Sequence, residues 1–84
     1  MSRPSAGTDP LHQLLGTVLG VPPDTIEEGS SPENLPNWDS LAHLLVVLAL
    51  ESEYGLSVPG QDAVMLRSVA LIRRYLQDRG VVWP

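Results

Sequence analysis

The residues most able to do chemistry lie in the segment Asn37-Trp38-Asp39-Ser40-Leu41, where a serine stands at the predicted start of a helix. A serine there either caps backbone amides or stays exposed and open to modification. Asp39 is the better cap, because its carboxylate can accept hydrogen bonds from the first amides of the helix. That would leave the Ser40 hydroxyl directed at solvent, where the positive end of the helix dipole favours a phosphate. The segment therefore indicates either a plain helix start or a serine that carries a phosphorylated group.

Catalysis by this serine is not predicted. His43 follows Ser40 by about one helical turn, but a catalytic triad also needs an oxyanion hole and a dry pocket. A chain of 84 residues leaves little volume for a substrate cavity. Cysteine is absent and His12 is remote from His43, so neither thiolate nor clustered histidine ligands are available to a metal. We therefore predict no enzymatic activity and no metal site, with His43 on the helix surface near Ser40.

Charge is distributed unevenly along the chain. The net charge is −5, and the stretch between Arg3 and Arg67 holds nine carboxylates and no Lys or Arg. An acidic body repels nucleic acid and anionic lipid, and it attracts basic patches on partner proteins. No apolar run approaches the roughly 18–20 residues that a membrane span needs, and residues 1–7 lack the hydrophobic segment of a secretory signal. We predict a cytoplasmic monomer that binds neither nucleic acid nor membrane.

A helix and a long loop precede the serine segment. Apolar residues recur at helical spacing over residues 11–19, Thr8 or Asp9 can cap the start, and Gly20 can end the helix in a left-handed conformation. Residues 21–38 are rich in proline and predict a loop, with one helical turn around residues 25–28. Its apolar members are spaced to pin it onto a core: Val21, Ile26, Leu35 and Trp38.

The serine segment opens a second predicted helix, Ser40 to Tyr54, which Gly55 ends. One apolar stripe runs along it, and further apolar residues widen that stripe beyond a normal amphipathic face. The stripe comprises Leu41, Leu44, Leu45 and Leu48, and the widening residues are Val46, Val47 and Leu50.

Two more helices complete the predicted fold. Pro59 opens a short third helix that holds Ala63, Val64 and Leu66, and a fourth runs from a cap at Ser68 to Gly80. The expectation is an all-α four-helix bundle, three helices long and one short, with a long ordered loop between the first two. We divide the chain into a disordered tail, residues 1–8, one folded domain, residues 9–80, and a short tail, residues 81–84.

These elements, in this order and at this spacing, resemble the acyl carrier protein family over about residues 11–79. The matching features beyond Asp39-Ser40-Leu41 are Gly20-Val21, the long loop, residues 48–55, Val58-Pro59, Asp62 and Ser68-Val69. The resemblance implies an acyl-carrier bundle and a phosphoprotein in which Ser40 carries 4′-phosphopantetheine, attached from coenzyme A by a phosphopantetheinyl transferase with magnesium. The terminal thiol of that arm would hold acyl groups as thioesters, which suits a chain without cysteine.

The resemblance also implies roles for other residues. Asp39 would help to orient the transferase, and Leu41 would complete the cofactor-attachment motif. The family uses its second helix to recognise partners. The partner-binding residues expected on this basis are Trp38, Ala42, Leu45, Val46, Glu51 and Asp62. The expected partners are the transferase, an acyl-loading enzyme, and a ketosynthase or acyltransferase.

Two departures from the family pattern bear on the pathway. Carriers of fatty-acid biosynthesis usually place acids shortly after the serine, whereas this chain has Ala42 and Leu45. Peptidyl carriers usually have a Gly-Gly pair before the motif, whereas this chain has Pro36-Asn37-Trp38. We interpret the chain as a stand-alone carrier from specialised metabolism such as polyketide biosynthesis. A small helical adaptor without a prosthetic group and a peptidyl or aminoacyl carrier remain as alternatives.

Overall fold

The computed structural model describes residues 9–81, so the predicted tail at residues 1–8 and all but the first residue of the tail at 81–84 lie outside the described residues. Within the described range the chain forms four α-helices and no strand. They are α1 (Pro10–Leu19), α2 (Ser40–Tyr54), α3 (Gly60–Ala63) and α4 (Val69–Asp78). This confirms the predicted all-α fold with three longer helices and one short one.

Local capping residues set most helix boundaries. The Asp9 carboxylate accepts a hydrogen bond from the Leu11 amide at 2.9 Å and caps α1. Gly20 ends α1, and Gly55 ends α2, with φ values of 72° and 65° in the left-handed region that glycine adopts without steric cost. The Ser68 hydroxyl caps α4 as predicted, accepting from the Leu71 amide at 3.1 Å.

The third helix is shorter than predicted. It ends at Ala63, so Val64 and Leu66 lie in the connection to α4 rather than in α3. The Val64 amide still donates to the carbonyl four residues earlier, that of Gly60, at 3.2 Å. The Arg67 amide instead donates to the carbonyl only two residues earlier, that of Met65. The helical hydrogen-bond pattern is therefore lost within one turn after α3.

The core is aliphatic apart from one indole ring. It draws on the three longer helices at helical spacing, which confirms the predicted apolar face of α1. The buried apolar residues are Leu11, Leu15 and Leu19 of α1, Val46, Val47 and Leu50 of α2, Val69, Ile72 and Leu76 of α4, and Ile26, Trp38, Val58 and Leu66 of the connections.

The loop at residues 21–38 is pinned to the core and to α4. Ile26 and Trp38 are buried, as predicted, and the single 3₁₀ turn lies at Pro23–Thr25 rather than at residues 25–28. The carbonyl of Ser30 accepts from the first amide of α4 at 3.0 Å, and that of Glu28 accepts from the second at 2.9 Å. These bonds satisfy amides that a helix cannot pair internally, so the loop and α4 hold each other in place.

A charged cluster joins α1, the loop and α4. The Arg73 guanidinium donates to both carboxylate oxygens of Glu28, at 2.8 and 2.7 Å, and to Asp9 at 3.0 Å. His12 Nε2 lies 2.9 Å from the same Glu28 carboxylate. Hydrogen bonding from Arg73 lowers the pKa of Glu28. Burial raises the pKa of Asp9, but its hydrogen bonds with Arg73 and His12 outweigh that effect and the pKa is lowered.

Candidate functional site

Ser40 is the first residue of α2, and its side chain is exposed. Asp39 precedes it in an extended conformation, and its Oδ1 atom accepts a hydrogen bond from the Ala42 amide at 2.8 Å. This confirms that Asp39 caps the helix. The Ser40 hydroxyl forms no hydrogen bond with any residue that the structure describes, so it is available to an incoming enzyme.

The first turn of α2 also presents unpaired donors beside this hydroxyl. The Ala42 amide is paired with the Asp39 side chain and the His43 amide with the Asp39 carbonyl at 2.8 Å. The backbone amides of Ser40 and Leu41 have no acceptor within residues 9–81. Such amides at the positive end of a helix dipole favour an anion, which suits a phosphorylated serine here.

His43 is not the surface residue that the sequence predicted. Its ring is half-buried, Trp38 Nε1–H donates to its Nδ1 atom at 3.0 Å, and its Nε2 atom lies 2.8 Å from the Ala63 carbonyl oxygen. Indole nitrogen is only a donor, so Nδ1 must be unprotonated and Nε2 must carry the proton that goes to Ala63. The imidazole therefore connects the end of the loop, α2 and the end of α3, and it lines the same cleft as Ser40.

A cleft of about 400 Å³ opens beside the serine. The loop, the first turn of α2 and the segment after α3 each contribute to its walls, and its lining is part apolar and part charged. The lining residues are Pro32, Trp38, Asp39, Ser40, His43, Val64 and Arg67. The guanidinium of Arg67 forms an exposed ion pair with Glu33 from the loop. The cleft thus joins the predicted modification site to a basic side chain that the sequence analysis did not single out.

Two of the predicted partner-binding residues belong to the core instead. Trp38 is 1% exposed and Val46 is fully buried. The indole ring anchors the end of the loop and is hydrogen-bonded to His43, with ring centroids 6.0 Å apart, whereas Val46 lies on the inner face of α2. Neither side chain is on the surface, which corrects their assignment to a partner-binding face.

The two acids assigned to partner binding have contacts inside the molecule. The Glu51 carboxylate accepts a hydrogen bond from the Val58 amide at 2.8 Å and so holds the connection after α2. Asp62 accepts from the Tyr75 hydroxyl at 2.8 Å and from Arg79 at 3.1 Å, joining α3 to α4. Both side chains help to fix the fold, and neither protrudes as an isolated charge.

The outward face of α2 is apolar. Leu45 is 46% exposed, whereas Ala42 is half-buried. The stripe that helical spacing placed together in the sequence is thus the outer face of the helix rather than its core face. Its four members are exposed: Leu41, Leu44, Leu45 and Leu48. In the sequence, this face is indicated by the apolar residues on all sides of α2, because an exposed apolar helix face is typical of a surface that contacts a partner.

Among residues 9–81, no group of three or more His, Asp or Glu side chains could hold a metal ion. The helices described there are also too short or too polar to cross a bilayer.

Three bacterial relatives of the chain bear the name acyl carrier protein. No family model matches the sequence. The acyl carrier protein of Bdellovibrio bacteriovorus is 36% identical over 70 residues, which cover 83% of this chain and 90% of the relative. That of Chlamydia muridarum is 31% identical over 71 residues, covering 84% and 92%. That of Thermosynechococcus vestitus is 30% identical over 67 residues, covering 79% and 82%.

Proposed function

The chain belongs to the acyl carrier protein family, and we propose that it carries acyl groups on a 4′-phosphopantetheine arm attached to Ser40. Members of this family are carriers and not catalysts, so the chain is not an enzyme. The observation that carries the proposal is the exposed Ser40 hydroxyl, which has no hydrogen-bond partner among residues 9–81 and stands at the start of a helix capped by Asp39. A hydroxyl that the fold does not use can be esterified without loss of structure.

The residues around Ser40 fit such an arm. The serine oxygen would lose its proton and bond to the phosphorus next to the pantetheine part of coenzyme A. The pyrophosphate P–O bond would break, and adenosine 3′,5′-bisphosphate would leave. The backbone amides of Ser40 and Leu41, at the positive end of the helix dipole, favour the phosphate of this arm. When bound, the arm supplies a terminal thiol that holds an acyl group as a thioester, and the absence of cysteine removes any competing thiol from the chain. Asp39 would hold the serine in the position that the transferase recognises.

We assign partner recognition to the outer face of α2, because it begins at the proposed attachment site. Its exposed leucines replace the acids that fatty-acid carriers usually show, which supports a pathway of specialised metabolism such as polyketide biosynthesis. The proposed partners are a phosphopantetheinyl transferase, an acyl-loading enzyme, and a ketosynthase or acyltransferase. The proposed state is a monomer, and loading from coenzyme A favours a cytoplasmic location.

Intact mass spectrometry tests this function. Incubation with coenzyme A, magnesium and a promiscuous transferase should add one phosphopantetheine to the wild type and none to Ser40→Ala. Ser52→Ala is the matched control, because Ser52 is also an exposed serine of α2. Its modification should be complete, and circular dichroism should show the same helix content in all three proteins. A modified Ser40→Ala protein, or an unmodified wild type, would contradict the proposal.

The exposed leucine stripe supports one alternative, a helical adaptor that binds a partner without a prosthetic group. An adaptor would gain no mass under the same conditions. A peptidyl or aminoacyl carrier would gain the arm, and loading assays with aminoacyl rather than acyl donors would identify it.

A further inference from the structure

We propose that Arg67 binds the phosphate of the arm and positions it in the cleft beside Ser40; this inference rests on the attachment at Ser40 proposed above. Arg67 is the only Lys or Arg between Arg3 and Arg73. It nevertheless lines the same cleft as Ser40. The ligand is a phosphodiester, because phosphorus would be bonded directly to the serine oxygen, whereas the thiol end of the arm lies many bonds away.

The walls of this cleft are held together by hydrogen bonds. His43 Nε2 lies 2.8 Å from the Ala63 carbonyl oxygen and ties α2 to the end of α3. The Leu66 amide donates to the same carbonyl at 3.2 Å, and the Arg67 amide donates to that of Met65 at 3.0 Å. The backbone that carries Arg67 is thus fixed relative to the first turn of α2.

The present partner of Arg67 is easily exchanged. Its guanidinium pairs with Glu33, and the two side chains are 58% and 61% exposed. Ion pairs this exposed contribute little to stability. A guanidinium also matches the oxygens of a phosphodiester with two parallel hydrogen bonds. A new negative charge at Ser40 would lie beside Asp39, so a nearby cation would offset their repulsion, and Arg67 can move from Glu33 to the phosphate at low cost.

None of the other described arginines lines the cleft beside Ser40. Arg73 bonds to Glu28 and Asp9, and Arg79 bonds to Asp62. Arg74 lines a separate groove between α3 and α4 together with Met65 and Tyr75. Arg74 therefore offers a matched control for Arg67.

The carboxyl of Glu33 reports on the exchange. Hydrogen bonding from Arg67 lowers the pKa of Glu33 in the unmodified protein. When Arg67 moves to the phosphate, that pKa should rise, as measured by carbon-13 NMR titration of fully modified and unmodified protein. The pKa of Glu33 should rise more in the wild type, which loses the hydrogen bond from Arg67 to Glu33, than in Arg67→Gln. In the variant only repulsion between Glu33 and the added phosphodiester raises that pKa. Arg74→Gln should behave as the wild type.

Phosphorus-31 NMR of the modified proteins gives a second readout. The phosphodiester resonance should differ between the wild type and Arg67→Gln, and added salt should move the wild-type resonance toward that of the variant. Intact mass measured first separates the two proposals, since an unmodified wild type overturns the attachment at Ser40. Complete modification with the same Glu33 response and the same phosphorus resonance in wild type and Arg67→Gln would overturn the role of Arg67 alone.

Discussion

In the first turn of α2, the side chains on either side of Ser40 make the structural hydrogen bonds, and the Ser40 hydroxyl makes none with residues 9–81. Asp39 caps the helix and His43 joins the loop to α3, so neither needs the serine hydroxyl. The capping role could be predicted from sequence, because a cap depends on residues three positions apart. The His43 contacts could not, because Trp38 and Ala63 reach the imidazole only once the loop and α3 have packed.

Replacing Asp39 with Ala should affect both stability and modification. The free energy of unfolding should fall by about 1 kcal/mol, because the Ala42 amide loses its acceptor. The rate of phosphopantetheine transfer should fall as well, because Ser40 is held less firmly. Thermal unfolding and initial modification rates measure the two effects. Asp39→Asn, which keeps a capping oxygen, is the control. A variant with lower stability and an unchanged transfer rate would give Asp39 a purely structural role.

At the scale of elements, α2 shows where a sequence pattern stops being decisive. The boundaries of α1, α2 and α4 were predictable, because local caps start these helices and a left-handed glycine stands at the end of α1 and α2 and just after the end of α4. The inner face of α2 was not predictable, because the helix has apolar side chains on all of its sides. Packing against α1 and burial in the shared core decide which of two aliphatic stripes is buried. The need for glycine at position 16 also arises from packing, because a Cβ there would lie 2.8 Å from the Val21 carbonyl oxygen of the loop.

A pair of adjacent alanine substitutions tests this assignment of faces. Val46 is fully buried, and Val46→Ala should lower the free energy of unfolding by about 2 kcal/mol through lost apolar burial and the cavity left behind. Leu45 is 46% exposed, so Leu45→Ala should change it by less than about 1 kcal/mol. Urea unfolding measures both. The reverse order would mean that α2 is rotated and that Leu45 belongs to the core.

At the scale of the whole molecule, Arg73 holds three parts of the chain together, and this makes stability depend on pH. The pKa of Glu28 is lowered chiefly by hydrogen bonds from Arg73, and that of Asp9 is lowered despite burial. Carboxyls with lowered folded-state pKa values stabilise the fold above their ordinary pKa, and they lose this effect as pH falls through the folded-state values. The free energy of unfolding should therefore fall on acidification, and less steeply in Arg73→Gln. Arg74→Gln should follow the wild type, and an equal slope in all three proteins would contradict the role of the cluster.

The charge distribution of the molecule leads to a prediction about docking. Ion pairs across an exposed interface are screened, with a Debye length of about 8 Å at physiological ionic strength, whereas contacts between apolar surfaces are not. The outer face of α2 presents leucines near Ser40, and the exposed acid Glu53 lies at the far end of the helix.

Acylation by the cognate loading enzyme should therefore resist added salt better than loading of a carrier with an acidic second helix. Leu45→Glu should raise the KM of that enzyme about tenfold, or about 1.4 kcal/mol, because a charge would be placed in an apolar contact. Glu53→Gln is the control and should change KM little at any salt concentration. A steep loss of wild-type loading with salt, together with an unchanged KM for Leu45→Glu, would instead place the docking surface on the acids of the molecule.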